Sequence, residues 1–391
     1  MDRGIFDQEH EMFRDAARSF LQNEIAPHAD RWAEQEIVDR EAFLKAGEQG
    51  MLCMWADEKY GGAGVSDFRY EQILLEENAR YGDVGFFIFL HSRLVGPYIG
   101  HLGTAEQKAR WLPKCVSGES ILAIAMTEPG AGSDVSGIRT TAQDKGDHYL
   151  LNGSKTFISN GILADLVIVA AKTDPSNSHA MSLFVVERGM QGFERGRNLK
   201  KMGMHSQDTA ELFFDNVKVP KENLLGEFNR GFYHLMHFLA EERLLSAVGS
   251  LANAEAAYAV TLEYASERRV FGQTVAEFQV NRFKFADMRT EMDVAQAFID
   301  RCVMVHNEGK LTAEDAAKAK LYATELEDRV TDQCVQLHGG NGYMDEYPVS
   351  RMYTAARVSR IYAGSSEIMR EIIARSIGLD PRRKESKKDV A

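Results

Sequence analysis

GFYHLMHFLAEERLLSAVGSL, Gly231 to Leu251, has no proline or glycine between Gly231 and Gly249, and most of its residues favour helix. On a helical wheel Phe232, Leu235, Met236 and Leu239 form an apolar stripe, and His234, His237 and Glu241 lie opposite. Glu242 turns a further step of about 100° and lands beside Leu235 and Leu239. Arg243 lands on the other flank, beside Phe232 and Met236. Glu241 therefore reads as a solvated carboxylate and Glu242 as one carried inward. A buried carboxylate must be paired, hydrogen-bonded or protonated, and its pKa tends to rise. Two readings stay open at this point: a general base, or a structural Glu–Arg pair.

Outward from this stretch the chain divides into three parts. From about Leu225 it is helical: one long run ends at Tyr264–Gly272, a second covers roughly 276–306, and a third starts at Thr312 and stops at Gly339-Gly340. Runs of this length fit a bundle, with glycine supplying the left-handed helix stop. Before it, Ile121–Ala125, Tyr149–Leu151, Lys155–Ile158, Leu166–Ala170, Leu183–Val186 and Ala210–Phe214 are short apolar runs. Their close spacing predicts an antiparallel sandwich or barrel, with Asn152-Gly153 as a hairpin turn. Residues 1 to about 120 read as helices, with Phe6, His10, Phe13, Ala17, Phe20 and Leu21 at helical spacing. Val84–Tyr98 is an apolar central helix containing His91 and Arg93, and Thr104 with Gln107 forms a capping box. The expected division is 1–120, 121–224 and 225–391, an α+β, mostly α chain: N-terminal helical domain, middle antiparallel β-barrel, C-terminal four-helix bundle.

Bulk composition narrows the function. In 391 residues, 44% hydrophobic content supports sizeable cores, and a net charge of −12 argues against a nucleic-acid surface. Pro381–Lys388 reads as a basic, solvated tail. Cys53, Cys115, Cys302 and Cys334 are scattered, without CxxC or metal-ligand spacing, and read as reduced thiols. No signal peptide or membrane span is expected, so the predicted location is cytoplasmic.

Four loops carry candidate chemistry. Thr127–Asp134 (TEPGAGSD) can bring backbone amides and hydroxyls close to a ligand, although a plain turn has the same composition. It lacks the third glycine of a dinucleotide fingerprint and has no βαβ unit around it. Phe157 and Ser159 lie two apart, on one face if the segment is a strand; the pair could hold a ring and its edge, or simply pack the core. His338–Gly342 and Ile361–Arg370 are glycine loops, and Ser365 or Ser366 can cap the helix that follows the second.

MTEPGAGSD, TFISNG, the ERRVFGQ stretch, QLHGGNGY and IYAGSSEIMRE, in this order across essentially the whole chain, resemble the acyl-CoA dehydrogenase family. The resemblance implies FAD, a fatty acyl-CoA substrate, electron-transfer flavoprotein as acceptor, and a homotetramer. It implies flavin contacts at Ile124, Ala125, Met126, Thr127, Gly132 and Ser133, at Phe157, Ile158 and Ser159, and at Ser365, Ser366 and Glu367. Arg268, Gln279, Gln336, Leu337, His338, Gly339 and Gly340 resemble positions that bind the FAD of a neighbouring subunit. Ser133, Ser178, His179, Tyr233, Ala240, Glu241, Glu242, Arg243, Ala363 and Gly364 match substrate contacts. Most of the family has its catalytic glutamate where this chain has Ala363. The long-chain and isovaleryl-CoA branches take the base from a helix Glu–Arg pair instead, which matches Glu242-Arg243. GFYHLM, HGGNGYMDEYP and SEIMREIIAR favour the long-chain branch.

The implied reaction is α,β-dehydrogenation of a long-chain or branched acyl-CoA to the trans-2-enoyl-CoA. Glu242 takes the Cα proton and the β-hydrogen leaves as hydride to flavin N5. The backbone N–H at Ala363 and a flavin ribityl hydroxyl hold the thioester carbonyl. The alternatives are an oxidase-like flavin enzyme, disfavoured by the compact length, and a flavin-binding relative that has lost its base.

Overall fold

Helix α1 (Gln8–Phe20) turns His10, Ala17 and Phe20 inward. Its Arg14 and Arg18 reach α4 (Phe68–Ala79), where the fully buried Glu77 receives Arg18 Nε at 2.9 Å and Glu76 receives Arg14 Nη1 at 2.9 Å. The structure, a computed structural model, describes residues 3–81, 85–174, 176–177 and 179–380. Ser178, Val84 and the basic run from Pro381 lie outside the described residues. Helices α2 (Ala29–Gln35) and α3 (Arg40–Glu48) fill the interval between α1 and α4 in the chain. The helix expected from residue 84 begins at 88 instead, passes through a π-helical turn (Leu90–Val95) and continues as α5 (Gly96–Leu102). Gly96 and Gly100 let this helix lie against Trp55: a Cβ on Gly100 would sit 2.2 Å from the indole ring. The capping box forms as expected, opening α6 (Ala105–Val116).

The helical layer meets the sheet through His91. Its Nδ1 accepts the Leu122 N–H at 3.1 Å, and its Nε2 lies 2.8 Å from the Cys115 carbonyl. Burial pushes its pKa down to about 4, so the ring is neutral and donates through Nε2.

Strands β1 (Leu122–Ala125), β2 (Thr141–Asp144), β3 (His148–Ser159), β4 (Leu166–Lys172), β5 (Met181–Glu187), β6 (Phe193–Asn198), β7 (Thr209–Pro220) and β8 (Leu224–Leu225) form one sheet. Its order is β6-β7-β3-β2-β4-β5-β8, with β1 also on β4. The middle sheet is as expected, but two details differ. β1 and β2 run parallel to β4, because the long excursion after β1 supplies the crossover that parallel neighbours need. Among the described residues no pairing joins β6 to β8, so hydrogen bonds do not close a barrel. The hairpin expected at Asn152-Gly153 is also absent. β3 runs straight through it and pairs with β7 on both sides of a register shift at that point. Gly153 has φ +146°, and a Cβ there would meet Thr140 Oγ1 at 2.5 Å. Close approach, not a turn, accounts for the glycine. These elements, from Gln8 to Phe238, form one compact unit.

The second unit runs from Leu239 and includes the Arg3–Asp7 segment, whose Arg3 Nε donates to Asp300 at 2.7 Å. Its helices are α7 (Gly231–Glu267, entering from the first unit), α8 (Gln279–Asn307), α9 (Ala313–His338), α10 (Pro348–Ala356) and α11 (Ser366–Ser376). α9 is central, packing on α8, α10 and α11 and receiving Asn253 of α7 at Glu327. It stops at Gly339, as the glycine pair predicted, although with φ +61° and ψ −137° that glycine is not in the left-handed helical conformation expected of it. No helix among the described residues is long and apolar enough to cross a membrane.

Candidate active site

In the first unit, the loop after β1 and the end of β3 lie side by side. Thr156 N–H donates to the Thr127 carbonyl at 3.0 Å. β3 then bulges between Lys155 and Ile158, and Phe157 takes φ +59° and is 69% exposed. The bulge breaks the strand alternation that placed Phe157 and Ser159 on one face. It sends Ile158 into the sheet core, so Ile158 has only its backbone to offer a ligand. Ala125 is likewise interior, whereas Thr127 is half-buried and Gly132 and Ser133 are exposed. The space a Cβ would occupy on Gly130 or Gly132 is open. Beyond this loop pair, the His179 ring meets Phe232 edge-on at 4.7 Å, and Arg230 lies over the Tyr233 ring at 4.3 Å.

In the second unit, Glu242 and Arg243 are both buried, at 5% and 6% exposure. Burial lowers the Arg243 pKa, and the charge of Glu242 opposes that. Arg243 Nε has no hydrogen-bond partner among the described residues. On the part of α7 that belongs to the first unit, the apolar line is rotated from the one expected: Leu235 and Phe238 are buried and Met236 is exposed. Phe238 is captured by Tyr98, with ring centroids 4.2 Å apart. Glu242 follows Leu235 by seven residues, so it continues this buried line. Glu241, expected in solvent, is half-buried and pairs with His306 of α8 at 3.2 Å.

Ala363 and Gly364 both have left-handed backbone, at φ +51° and +92°. Lys320 of α9, with no exposed surface, donates to the Gly364 carbonyl at 2.8 Å. Burial and then the Arg243 charge bring its pKa down to about 8. Ser365 caps α11, Glu367 is exposed, and Ser366 Oγ is buried without a hydrogen-bond partner among the described residues. Arg268, Gln279, Gln336, Gly339 and Gly340 are exposed. Leu337 and His338 point inward; the His338 ring stacks on Tyr264 at 4.2 Å, so only their backbone is available to a ligand. Lys320 and Glu327 were missed in the sequence. The signal was there: two charged residues seven apart on the face of α9 that carries Ala316, Ala323 and Val330.

Within the first unit, an exposed aromatic ring in a bulge beside a loop with open glycines suits a planar ring system with a polar edge. Such a surface, on a chain ordered helices, sheet, helices, is one that a flavin-dependent enzyme would offer its cofactor. Comparison with known proteins agrees throughout the chain. Residues 7–119, 123–217 and 229–378 match the N-terminal, middle and C-terminal domains of acyl-CoA dehydrogenase. The mitochondrial long-chain specific acyl-CoA dehydrogenase of Mus musculus is 48% identical over 97% of this chain and 88% of its own. The acyl-CoA dehydrogenase structure from Geobacillus kaustophilus is 50% identical, with TM-score 0.94, over 96% of this chain and 99% of its own. The Bacillus anthracis acyl-CoA dehydrogenase solved with FAD is 32% identical, with TM-score 0.90, over 98% of this chain and 68% of its own. This chain belongs to the acyl-CoA dehydrogenase family. It is an FAD-dependent enzyme of acyl-CoA dehydrogenation.

Proposed function

We propose that Glu242 is the proton acceptor in the α,β-dehydrogenation of a long-chain or branched acyl-CoA. The observation that carries this is the burial of Glu242 beside Arg243, while Ala363 has no proton chemistry to offer. A thioester α-proton is too weakly acidic for a solvated carboxylate, so the base must be desolvated and the enolate oxygen must meet donors. Glu242 satisfies the first condition. The Ala363–Gly364 turn, held from behind by Lys320, offers a fixed backbone N–H for the second. Arg243 contributes a buried cation to the same neighbourhood. Bound FAD supplies the hydride acceptor. Ile124–Thr127, Gly132, Ser133, Phe157–Ser159 and Ser365–Glu367 hold the flavin, and Ser133, Ser178, His179 and Tyr233 hold the CoA portion. The exposed aromatic and cationic groups around Tyr233 support that placement.

A homotetramer, with Arg268, Gln279 and Gln336–Gly340 reaching the FAD of a neighbour, fits their exposure. It also fits the uncovered Val280, Phe283, Val294 and Phe298 of α8. Electron-transfer flavoprotein is the acceptor that family membership favours. Four free, buried cysteines fit a reducing, cytoplasmic setting. The family matches support domains at 1–120, 121–224 and 225–391.

The test is anaerobic flavin bleaching by acyl-CoAs of graded length and branching, on the wild type, Glu241→Gln and Glu242→Gln. Glu242→Gln should abolish bleaching and Glu241→Gln should retain it; the reverse pattern sinks the assignment. The chain length that bleaches fastest identifies the substrate.

A further inference from the structure

Between the two flavin-facing segments of the first unit lies a lysine with no exposed surface. Lys155 Nζ donates to the Met126 carbonyl at 3.0 Å and to Glu128 Oε1 at 2.8 Å. The Glu128 carboxylate also accepts the backbone N–H groups of Thr140 at 2.9 Å and Arg139 at 2.5 Å. One ion pair therefore joins the end of β3, the loop after β1 and the approach to β2. Burial pushes the Lys155 pKa down to about 8 against the pull of Glu128. Burial also opposes ionisation of Glu128, but Lys155 and the hydrogen bonds prevail and lower its pKa.

A buried ion pair contributes little to stability on balance, since desolvation offsets the attraction and an apolar pair of similar volume often does better. Its distinctive contribution is geometric. Phe157, two residues beyond Lys155, holds a left-handed backbone, a strained conformation for an aromatic residue. Such a conformation persists only where its surroundings over-determine it. The bonds from Lys155 to Met126 and Glu128, with Thr156 N–H on Thr127, supply that constraint on one side. On the other, Asp208 accepts the N–H of Ile162 at 2.7 Å and Gln207 holds the Asn160 side chain at 2.9 Å.

We infer that Lys155 and Glu128 form a positioning pair that sets the loop after β1 against the Phe157 bulge, and so governs how tightly FAD is retained. This rests on reading both segments as flavin contacts.

The experiment measures FAD release from the purified holoenzyme by flavin fluorescence, with visible circular dichroism reporting the environment of the ring. Lys155→Met, Glu128→Gln and the double variant are compared with Phe157→Ala. Far-UV circular dichroism checks the fold. Release should be at least tenfold faster in Lys155→Met and should stay fast in the double variant, which has no uncompensated charge. A purely structural pair predicts the opposite: once the lone charge is gone, the double variant retains FAD as the wild type does, and that result overturns the inference. Should Lys155→Met fail to fold, Glu128→Gln decides. It can keep one oxygen as the acceptor for Thr140 N–H and Lys155, but it removes the charge and turns the acceptor of Arg139 N–H into an amide N–H, so release at the wild-type rate is again fatal. Phe157→Ala separates the two levels. Faster release there with wild-type release in the pair variants refutes the positioning role alone, and unchanged release in Phe157→Ala removes the flavin reading and the inference with it.

Discussion

Glu327→Gln replaces a carboxyl that titrates inside the helical unit with an amide that does not. Glu327 is 1% exposed, and Asn253 Nδ2 donates to its Oε1 at 3.0 Å. Burial raises its pKa from the ordinary 4.5 to about 7; the nearby Ser250, Ser359 and Asn253 side chains offset part of this, and the charge of Asp328 adds to it. Below pH 4.5 the group is protonated in both folded and unfolded chains and costs nothing. As pH rises from 4.5 to about 7, the unfolded chain releases the proton and the folded chain keeps it, so stability falls across that window. At about 1.4 kcal/mol per pH unit, the span is worth on the order of 3 kcal/mol. Glutamine copies the shape of the protonated acid and removes this dependence. Denaturant unfolding of wild type and variant at pH 5 and pH 8, at equal ionic strength, reads the difference directly. The variant should gain stability relative to the wild type at pH 8 and show little advantage at pH 5. Parallel stability profiles for the two proteins would refute the claim that Glu327 is buried as a neutral acid.

Other substitutions test local packing. Gly100→Ala places a Cβ within 2.2 Å of the Trp55 ring, so the indole must shift. A loss of about 1–3 kcal/mol in thermal unfolding should accompany a change in tryptophan fluorescence. Thr104→Ala removes the side chain that accepts the Gln107 N–H at 3.2 Å and should cost about 1 kcal/mol, leaving flavin binding unchanged.

Much of the fold was legible because periodicity reports burial. The long runs of α7, α8 and α9, the Gly339 stop and the Thr104 capping box required only local rules. Five motifs in register then carried the family. The misreadings came where a local signal has two physical meanings. Asn152-Gly153 has the composition of a hairpin turn, but its glycine answers the approach of Thr140 from a neighbouring strand. Phe157 and Ser159 alternate in sequence, but a bulge between Lys155 and Ile158 turns the ring outward.

The sequence by itself determined the helix–sheet–helix order, the flavin chemistry and the choice of Glu242 over Glu241 as the inward carboxylate. Helical phase and motif identity are properties of a single stretch of chain. Only the tertiary structure decided which polar groups meet. Lys155 with Glu128, Lys320 with the Gly364 carbonyl, and Glu241 with His306 lie 27, 44 and 65 residues apart. Nothing in either local stretch names its partner. Those contacts are fixed by which segments pack together, because a charge taken out of water must be satisfied by whatever the fold brings within reach.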